Sequence, residues 1–429
     1  MALRTKRVLA VLWILIGAWG VAQTGSAIER FHELRAQLQQ TRKRADWFGS
    51  LSTARELAKF LNESPESTLE LARAEIHVSH LEDAFRELER FVSMGQATDL
   101  LEKSSEFAPL REEATFTDIQ KAIKANSTSI SLGSTAFVLP DSALLAEDID
   151  YDQKAKRFFI TSVREWKIVS RDLNGAFHDF AIAADRWPML AIKADSQRQV
   201  LWATEVALQG LIFAPESDWG KSAVLCYALK DGKLLRRVEA PRGAALGDMM
   251  LMKNGDLIVS DGEGGGVYRL ARNGRTLERI DNGQFISPQT PALHPDGKHV
   301  FVPDYVRGIG LLEIASKRVD WLSMEGRFAL NGIDGLYFDR GRLVAIQNGT
   351  SPERVIAFAT DPAFAKITAE KIIERSTETL GDPTHGVTVG DDFYYIANSG
   401  WDVIDEHGSI KPGAKPSVPR VMRVQRQLF

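Results

Sequence analysis

Two periodicities of apolar and polar residues divide the chain. From about residue 28 to 125, apolar residues recur at helical spacing and glycines are few. From residue 126 to 429, short β-rich runs alternate with turns of Gly, Asp and Asn, the pattern of an antiparallel all-β domain. We therefore predict a small all-α domain over residues 28–125, followed by a mainly β domain over residues 126–429.

The clearest helical stretch predicts two consecutive short helices. Ser64 is placed to cap the first helix, with Pro65 at its first position. Leu69, Ala72 and Ile76 then form one apolar stripe. Two short antiparallel helices that cross at small residues resemble a tetratricopeptide unit, although the aromatic signature of that repeat is missing. A plain helical bundle remains an equally good interpretation.

A unit of two strands recurs six times in the β-rich region. Each copy begins with a polar residue and a short apolar strand, followed by a turn and a second strand that mostly ends in Asp or Asn. The copies start at Glu147, Pro188, Asp248, Gln289, Asp334 and His385. Successive starts lie about 40 to 60 residues apart, the length of a four-stranded blade. We predict a six-bladed β-propeller; a β-sandwich is the alternative, but it gives no reason for six similar units.

The last copy runs out of chain after its third strand. The strand "STAFVLP", which precedes the first copy, is available as the missing outer strand. Pairing the two ends of the domain would close the ring and leave no open sheet edge.

Hairpin geometry predicts where the polar residues of the repeats meet. The start of the first strand and the end of the second lie at the same edge of a blade, and the first strand lines the central channel. The six unit-starting residues should therefore surround one opening of that channel, which we call the mouth. Around them should lie the strand-ending residues Glu205, Asp261, Asp304, Asn348 and Asn398. For this outer set, capping of turns is the favoured interpretation.

Six carboxylates are expected to gather at this opening: Glu147, Glu205, Asp248, Asp261, Asp304 and Asp334. Like charges at close range raise one another's pKa unless a positive charge lies among them. Oxygen ligands of this kind suit a hard divalent cation, calcium first and magnesium or manganese next. The sequence therefore predicts a cation site at the mouth.

The first residues predict a targeting segment. Arg4, Lys6 and Arg7 precede an apolar run over residues 8–22, and small residues follow at 25–27. This pattern predicts a signal peptide over residues 1–27 and a secreted or periplasmic protein with no stable membrane span after cleavage; an uncleaved anchor is the alternative. The net charge of −4, without a basic cluster, argues against nucleic-acid binding. The single cysteine, Cys226, excludes an intramolecular disulfide.

The runs "GDMMLMKNGDLIVSDGEGGGVYRL" and "PALHPDGKHVFVPDY" carry a family resemblance. Over roughly residues 130 to 429 the chain resembles the family of senescence marker protein, gluconolactonase and luciferin-regenerating enzyme, and shares the general pattern of NHL-type propellers. Repeats of this kind are specific for the propeller fold and not for one chemistry.

The resemblance implies a site. Enzymes of that family hold one divalent metal at the mouth through a Glu, an Asn and an Asp from different blades. By position the Glu falls on Glu147 and the Asp on Asp334, whereas the Asn position is occupied by Gln289, which keeps a carbonyl ligand on a longer arm. Asp248 stands where the family often has a substrate-contacting Asn, and His385 has no firm counterpart. If the chemistry is shared, Asp248 or His385 would take the proton of an attacking water.

Two functions follow as hypotheses. The first is an exported, metal-dependent hydrolase that acts on a lactone or a related ester as its small-molecule substrate. The second is a non-catalytic propeller that binds a peptide or protein ligand at the mouth and serves as an envelope scaffold.

Overall fold

The computed structural model describes residues 26–429, so most of the predicted signal segment lies outside the described residues. Seven helical segments come first in the described part of the chain. They are α1 (Ala27–Lys43), α2 (Trp47–Phe60), α3 (Pro65–His77), α4 (Leu81–Ser93), α5 (Leu100–Lys103), a 3₁₀ helix (Ser105–Leu110) and α6 (Ala114–Asn126). Ser26 and Glu29 form a capping box at the start of α1, so the last residues of the predicted signal segment take part in the helical region.

The helical region packs as consecutive helix pairs. The pair α1 and α2 shares one buried cluster that includes Leu34 and Leu57. The pair α3 and α4 shares another, in which Ala72 and Ala84 are fully buried. Small side chains at a crossing let two helices approach closely, in agreement with the predicted pair. The resemblance to a tetratricopeptide unit stays a prediction.

The strands after the helices form six blades. Five blades are four-stranded antiparallel sheets, and the sheet of blade 5 has six strands because two short strands, one antiparallel and one parallel, also pair with its outermost strand. Two short strands lead in, β1 (Ile130–Ser131) and β2 (Ser134–Val138). Blade 1 contains β3 (Ala146–Asp152), β4 (Arg157–Ser162), β5 (Lys167–Arg171) and β6 (Phe177–Ile182); blade 2 contains β7 (Met189–Asp195), β8 (Val200–Val206), β9 (Ser222–Ala228) and β10 (Leu234–Glu239). Blade 3 contains β11 (Leu246–Leu251), β12 (Leu257–Asp261), β13 (Gly266–Leu270) and β14 (Glu278–Arg279); blade 4 contains β15 (Ala292–Leu293), β16 (His299–Asp304), β17 (Gly308–Glu313) and β18 (Val319–Trp321). After β19 (Ser323–Met324), blade 5 contains β20 (Ile333–Asp339), β21 (Arg342–Gln347), β22 (Arg354–Thr360) and β23 (Lys366–Arg375). Blade 6 contains β24 (Gly386–Val389), β25 (Asp392–Ile396) and β26 (Arg420–Gln425), and takes its fourth strand from β2.

The six-bladed propeller predicted from the repeats is confirmed, with one copy of the unit in each blade. Apolar side chains fill the spaces between neighbouring blades. Trp202 of blade 2, for example, packs in one cluster with Leu246 and Val259 of blade 3. Cys226 is buried in this cluster, where burial raises the pKa of its thiol to about 11. Among the described residues, no helix is long and apolar enough to cross a membrane.

The ring closes by pairing strands from the two ends of the β domain, as predicted. Strand β2 lies antiparallel to β26, with Ser134 opposite Arg423 and Val138 opposite Arg420. Blade 6 therefore contains strands from both ends of the β domain, and β2 covers a sheet edge that would otherwise be open.

The helical region is seated on blades 4 and 5 beside the mouth. The Arg307 Nε, in the turn between β16 and β17, donates to the Phe60 carbonyl at 3.2 Å. The Arg354 guanidinium on β22 donates to the Met94 carbonyl at the end of α4. Because β16 and β21 both end at the mouth edge, these contacts place the helices next to that opening and away from the opposite face.

Removing the aromatic ring of Phe137 is expected to weaken the closure. Phe137 of β2 lies 5.2 Å from the ring of Phe158, and the Arg171 guanidinium lies 4.5 Å above it. Phe137→Ala should lower the free energy of unfolding by about 2–4 kcal/mol, measured by denaturant titration. The control is Leu173→Ala, because Leu173 is exposed in the turn between β5 and β6. Equal midpoints for Phe137→Ala and the control would contradict the closing role of β2.

Candidate functional site

In four of the six blades, a β-bulge lies near the start of the first strand, at the edge of the mouth. The register of pairing shifts between Ala146 and Ile149, Met189 and Ile192, Leu246 and Asp248, and Ile333 and Gly335. A bulge releases a residue from the ladder and re-aims its side chain. The bulges in blades 1 and 5 leave Glu147 and Asp334 without a ladder partner, and the ligand atoms of these two residues lie within 4.8 Å of each other. The bulge in blade 3 falls at Gly247, directly before Asp248, which pairs with Ser260.

His385 joins three blades at the centre of the site. Its Nε2 lies 2.6 Å from Asp248 Oδ1 and 3.8 Å from Asp334 Oδ1, and its Nδ1 lies 2.9 Å from the Glu147 carbonyl oxygen. The Thr290 hydroxyl also donates to Asp248 Oδ1, at 2.6 Å. Both ring nitrogens of His385 face oxygen acceptors, an arrangement that is satisfied only when both carry hydrogens.

The electrostatics agree with a protonated His385. Burial lowers the pKa of His385, but Asp334, Asp148 and Asp248 outweigh burial and raise the pKa well above its ordinary value. The imidazolium is therefore one positive charge among the carboxylates, supplied by the protein itself.

Ligand atoms of Glu147 and Asp334 lie within 4.8 Å of each other at the mouth. Trp401 Nε1 donates to one Glu147 oxygen at 2.6 Å, and Asn348 Nδ2 donates to Asp334 Oδ2 at 2.8 Å. Burial, followed by the negative charge of Asp334, raises the pKa of Glu147 to about 8. Burial raises the pKa of Asp334 to about 6, although His385 lowers it. Burial is the main cause in both groups, because the charged form of each carboxyl loses its hydration at this site.

The sequence reasoning missed a second buried ion pair in the channel. Lys193 Nζ of β7 lies 2.6 Å from Asp148 Oδ2, and the same oxygen accepts from the Ile192 N–H at 2.8 Å. Asp150, two positions further along β3, accepts from the Ala194 N–H at 2.6 Å. Two features of the sequence could have predicted this pair. Residues two apart lie on one face of a strand, so the alternate carboxylates in "EDIDYD" share a face. A lysine also interrupts the apolar run "LAIKAD".

The outer set of strand-ending residues is held by local partners. Asp261 accepts from the N–H groups of the following turn, including Gly264 at 2.7 Å. Asp304 accepts from Ile286 at 2.6 Å and from Val306 at 3.0 Å. Glu205 is ion-paired with Arg237. These three carboxylates are therefore engaged by partners of their own, and the bonds of Asp261 and Asp304 agree with their interpretation as turn caps.

Two other strand-ending residues behave differently from each other. Asn348 reaches the inner site, where it links Asp334 to the Tyr305 hydroxyl, whose oxygen lies 2.9 Å from Asn348 Oδ1. Asn398 instead bonds Ser417 and the backbone of the last blade. The sequence placed both at the mouth edge and gave no means to tell them apart.

Gln289 and Pro188 complete the unit-starting residues. The Gln289 amide nitrogen donates to Ser287, at 3.0 Å from its hydroxyl and 3.3 Å from its carbonyl. The residue after Gln289, Thr290, is the one that bonds Asp248. Pro188 contributes its carbonyl to the Val206 N–H. The role of Gln289 as a metal ligand, which the resemblance implied, stays a prediction that these bonds do not favour.

The donor set fits one hard divalent cation between Glu147 and Asp334. One ligand atom from each, together with one from His385, lies within 4.8 Å of the others. Both ring nitrogens of His385 are already bonded, so the two carboxylates are the available ligands. In the part of the chain that the structure describes, five buried or half-buried carboxyl groups of this channel interact with two internal cations, Lys193 and His385. The five are Glu147, Asp148, Asp150, Asp248 and Asp334. A divalent cation would reduce the remaining negative charge.

No family model and no curated protein matches the chain. Among solved structures, it is similar to a gluconolactonase from Xanthomonas campestris, at 13% identity over 69% of this chain and 89% of that one, with a TM-score of 0.46. It is similar to regucalcin, a calcium-binding protein from Agrobacterium tumefaciens, at 13% identity over 69% and 95%, with a TM-score of 0.47. It is also similar to luciferin-regenerating enzyme, at 12% identity over 70% and 95%, with a TM-score of 0.48. The six-bladed propeller that the family resemblance implied is confirmed by the strand pairing of this chain, which has a helical region in front of it.

Proposed function

We propose that this protein is an exported hydrolase of a lactone or a related ester, and that it holds one divalent cation at the mouth. The observation that carries the proposal is the approach of Glu147 and Asp334, two carboxylates from different blades whose ligand atoms lie within 4.8 Å. Carboxylate oxygens favour calcium first, and magnesium or manganese next. The targeting pattern over residues 1–27 supports export to the periplasm or the medium.

The residues around the cation have separate roles in this proposal. When bound, the cation supplies Lewis-acid polarisation of the ester carbonyl. Asp248, fixed by Thr290 and His385, accepts a proton from the attacking water. His385 donates the proton at Nε2 to the leaving oxygen, and Asp248 then passes the proton taken from water to Nε2 across their 2.6 Å contact. Water thus adds to the carbonyl carbon, the ring C–O bond breaks, and a hydroxy acid leaves.

Cation binding by Glu147 and Asp334 is testable without a substrate. Glu147→Gln and Asp334→Asn should each weaken Ca²⁺ affinity at least about 100-fold, because each removes one of two charged ligands. Calorimetric titration of the chelator-treated protein measures the affinity. The rise in Tm on adding Ca²⁺ to the wild type should be lost in both variants.

The matched control is Asp320→Asn, because Asp320 is an exposed carboxylate on the outer strand of blade 4. This control should bind Ca²⁺ as the wild type does. Wild-type affinity in Glu147→Gln would reject the cation site. Turnover of a lactone panel by the wild type, with loss in the two variants, tests the hydrolase itself.

A specific observation also favours the alternative of a non-catalytic scaffold that binds a peptide or protein at the mouth. The Gln289 amide is bonded to Ser287, and His385 already places a positive charge beside Asp248. On this alternative the purified protein contains no metal and retains a stoichiometric partner through purification. Elemental analysis of the protein as isolated distinguishes the two functions.

A further inference from the structure

A second cluster of ligand-type side chains lies on the face of the propeller opposite the mouth. His294 and Asp296 lie in the turn that joins β15 to β16, and His299 is the first residue of β16. The ligand atoms of the three residues lie within 4.8 Å of one another. Asp304, at the other end of β16, is at the mouth edge. At about 3.3 Å per residue, the turn is therefore roughly 17–20 Å from the mouth, too far for the two sites to share an ion.

The turn holds the carboxylate of Asp296 between the two imidazoles. Asp296 Oδ1 accepts from the Lys298 N–H at 2.8 Å and from the His299 N–H at 3.0 Å, which fixes the side chain over the turn. His299 Nδ1 then lies 2.6 Å from Asp296 Oδ2, and His294 Nδ1 lies 3.0 Å from Asp296 Oδ1. Gly297, with a φ of 68°, provides the left-handed residue that this tight turn requires.

The imidazole of His294 is held in place by packing. Its ring lies 5.2 Å from the rings of Phe301 and Phe364, and the residue is 9% exposed. His294 Nδ1 accepts from the Asp296 N–H at 3.2 Å, so the lone pair of this nitrogen points into the turn. Asp296 Oδ1 lies 3.0 Å from the same nitrogen, so a cation that binds here must replace the hydrogen bond from the Asp296 N–H.

We propose that His294, Asp296 and His299 form a surface site for a borderline divalent transition-metal ion, Zn²⁺ first. Two imidazole nitrogens and one carboxylate oxygen are a ligand set typical of zinc, whereas calcium prefers oxygen ligands alone. A tetrahedral ion about 2.0–2.1 Å from each ligand needs ligand atoms about 3.3 Å apart, so the contacts of His294 and His299 with Asp296 must open by about 0.3 and 0.7 Å. The fourth position faces solvent, because Asp296 is exposed.

A second His-carboxylate cluster provides an internal contrast. Glu75, His80 and Asp83 also bring ligand atoms within 4.8 Å, but the Arg55 guanidinium lies 2.8 Å from Glu75 Oε1. A fixed positive charge on the central carboxylate opposes binding of a metal cation. We therefore expect the turn of blade 4 to bind zinc and the helical cluster not to bind it.

The experiment is a calorimetric titration of Zn²⁺ into the chelator-treated full chain, with excess Ca²⁺ present to saturate any oxygen-ligand site. The wild type should bind one Zn²⁺, and His299→Ala and Asp296→Asn should each weaken that affinity at least about 100-fold. Titration with Co²⁺ should give the visible absorption of a tetrahedral ion, which His299→Ala abolishes. His299→Gln, which keeps a polar side chain in the turn, should lose binding as His299→Ala does while keeping the wild-type Tm in the absence of metal.

The matched control is His80→Ala, which removes a histidine from the helical cluster and should leave Zn²⁺ affinity unchanged. Zn²⁺ binding of equal strength in the wild type and His299→Ala would overturn the proposal. So would the absence of any Zn²⁺ binding by the wild type at millimolar metal, or loss of binding in His80→Ala alone.

Discussion

Lys193→Met is expected to lower the free energy of unfolding by about 3–5 kcal/mol, because it leaves the buried Asp148 carboxylate without its cation. The Lys193 side chain is 13% exposed and that of Asp148 is 1% exposed, with 2.6 Å between the charged atoms. Burial lowers the pKa of Lys193, but Asp148 and Asp150 outweigh burial and raise the pKa above its ordinary value. The amine is therefore charged at neutral pH, and its contribution is lost only as the pH rises through the folded-state pKa.

Denaturant titrations at pH 6 and pH 9 provide the measurement, and the deficit of Lys193→Met should be similar at both. Lys366→Met, which removes a half-exposed ion pair with Glu325, is the control and should cost less than about 1 kcal/mol. The double variant Asp148→Asn with Lys193→Met should recover part of the loss, because no unpaired charge remains at that pair. A wild-type midpoint for Lys193→Met would refute the role of this ion pair.

Arg354→Met should loosen the contact between the helical region and blade 5. Arg354 is fully buried, and its Nε donates to Gln347 Oε1 at 2.7 Å while its Nη1 donates to the Met94 carbonyl at 3.3 Å. Met fills a similar volume but leaves both acceptors without this donor, at about 1–3 kcal/mol each. The expected loss is about 2–4 kcal/mol, together with faster limited proteolysis between the helices and the propeller.

The control variant for Arg354→Met is Arg340→Met, because Arg340 is half exposed and pairs with the exposed Asp391. This variant should unfold within about 1 kcal/mol of the wild type. Identical proteolysis patterns for Arg354→Met and Arg340→Met would show that Arg354 does not anchor the helices.

The blades could be predicted from the sequence because each one is built from local features. Each blade occupies about 40 to 60 residues, and within that length the sequence shows alternating apolar residues, a turn and a polar strand end. Six similar copies of this pattern are consistent with few folds other than a propeller. Hairpin geometry also predicted that Glu147 and Asp334 would meet, since it depends only on which edge a strand begins from.

The partners within the site could not be predicted in the same way. Whether His385 contacts Asp248, or Asn348 contacts Asp334, depends on β-bulges that change the register and therefore the positions of these side chains. Bulges are difficult to recognise in a sequence. The spacing of the repeats therefore predicted which residues surround the mouth, but not which of them contact one another. The seat of the helices on blades 4 and 5 rests on contacts between distant segments, such as Arg307 with Phe60, for which the sequence offered no pattern.

The pairing of β2 with β26 has a consequence for the order of folding. Ser134 and Arg423 are register partners although almost three hundred positions separate them, whereas the helix pairs form from neighbours in the chain. Contacts between remote positions form slowly, because a long loop must be ordered before they are gained. The helices can therefore assemble early. The sixth blade forms only after β26 has been synthesised, so the propeller ring is not closed during most of the synthesis of the chain.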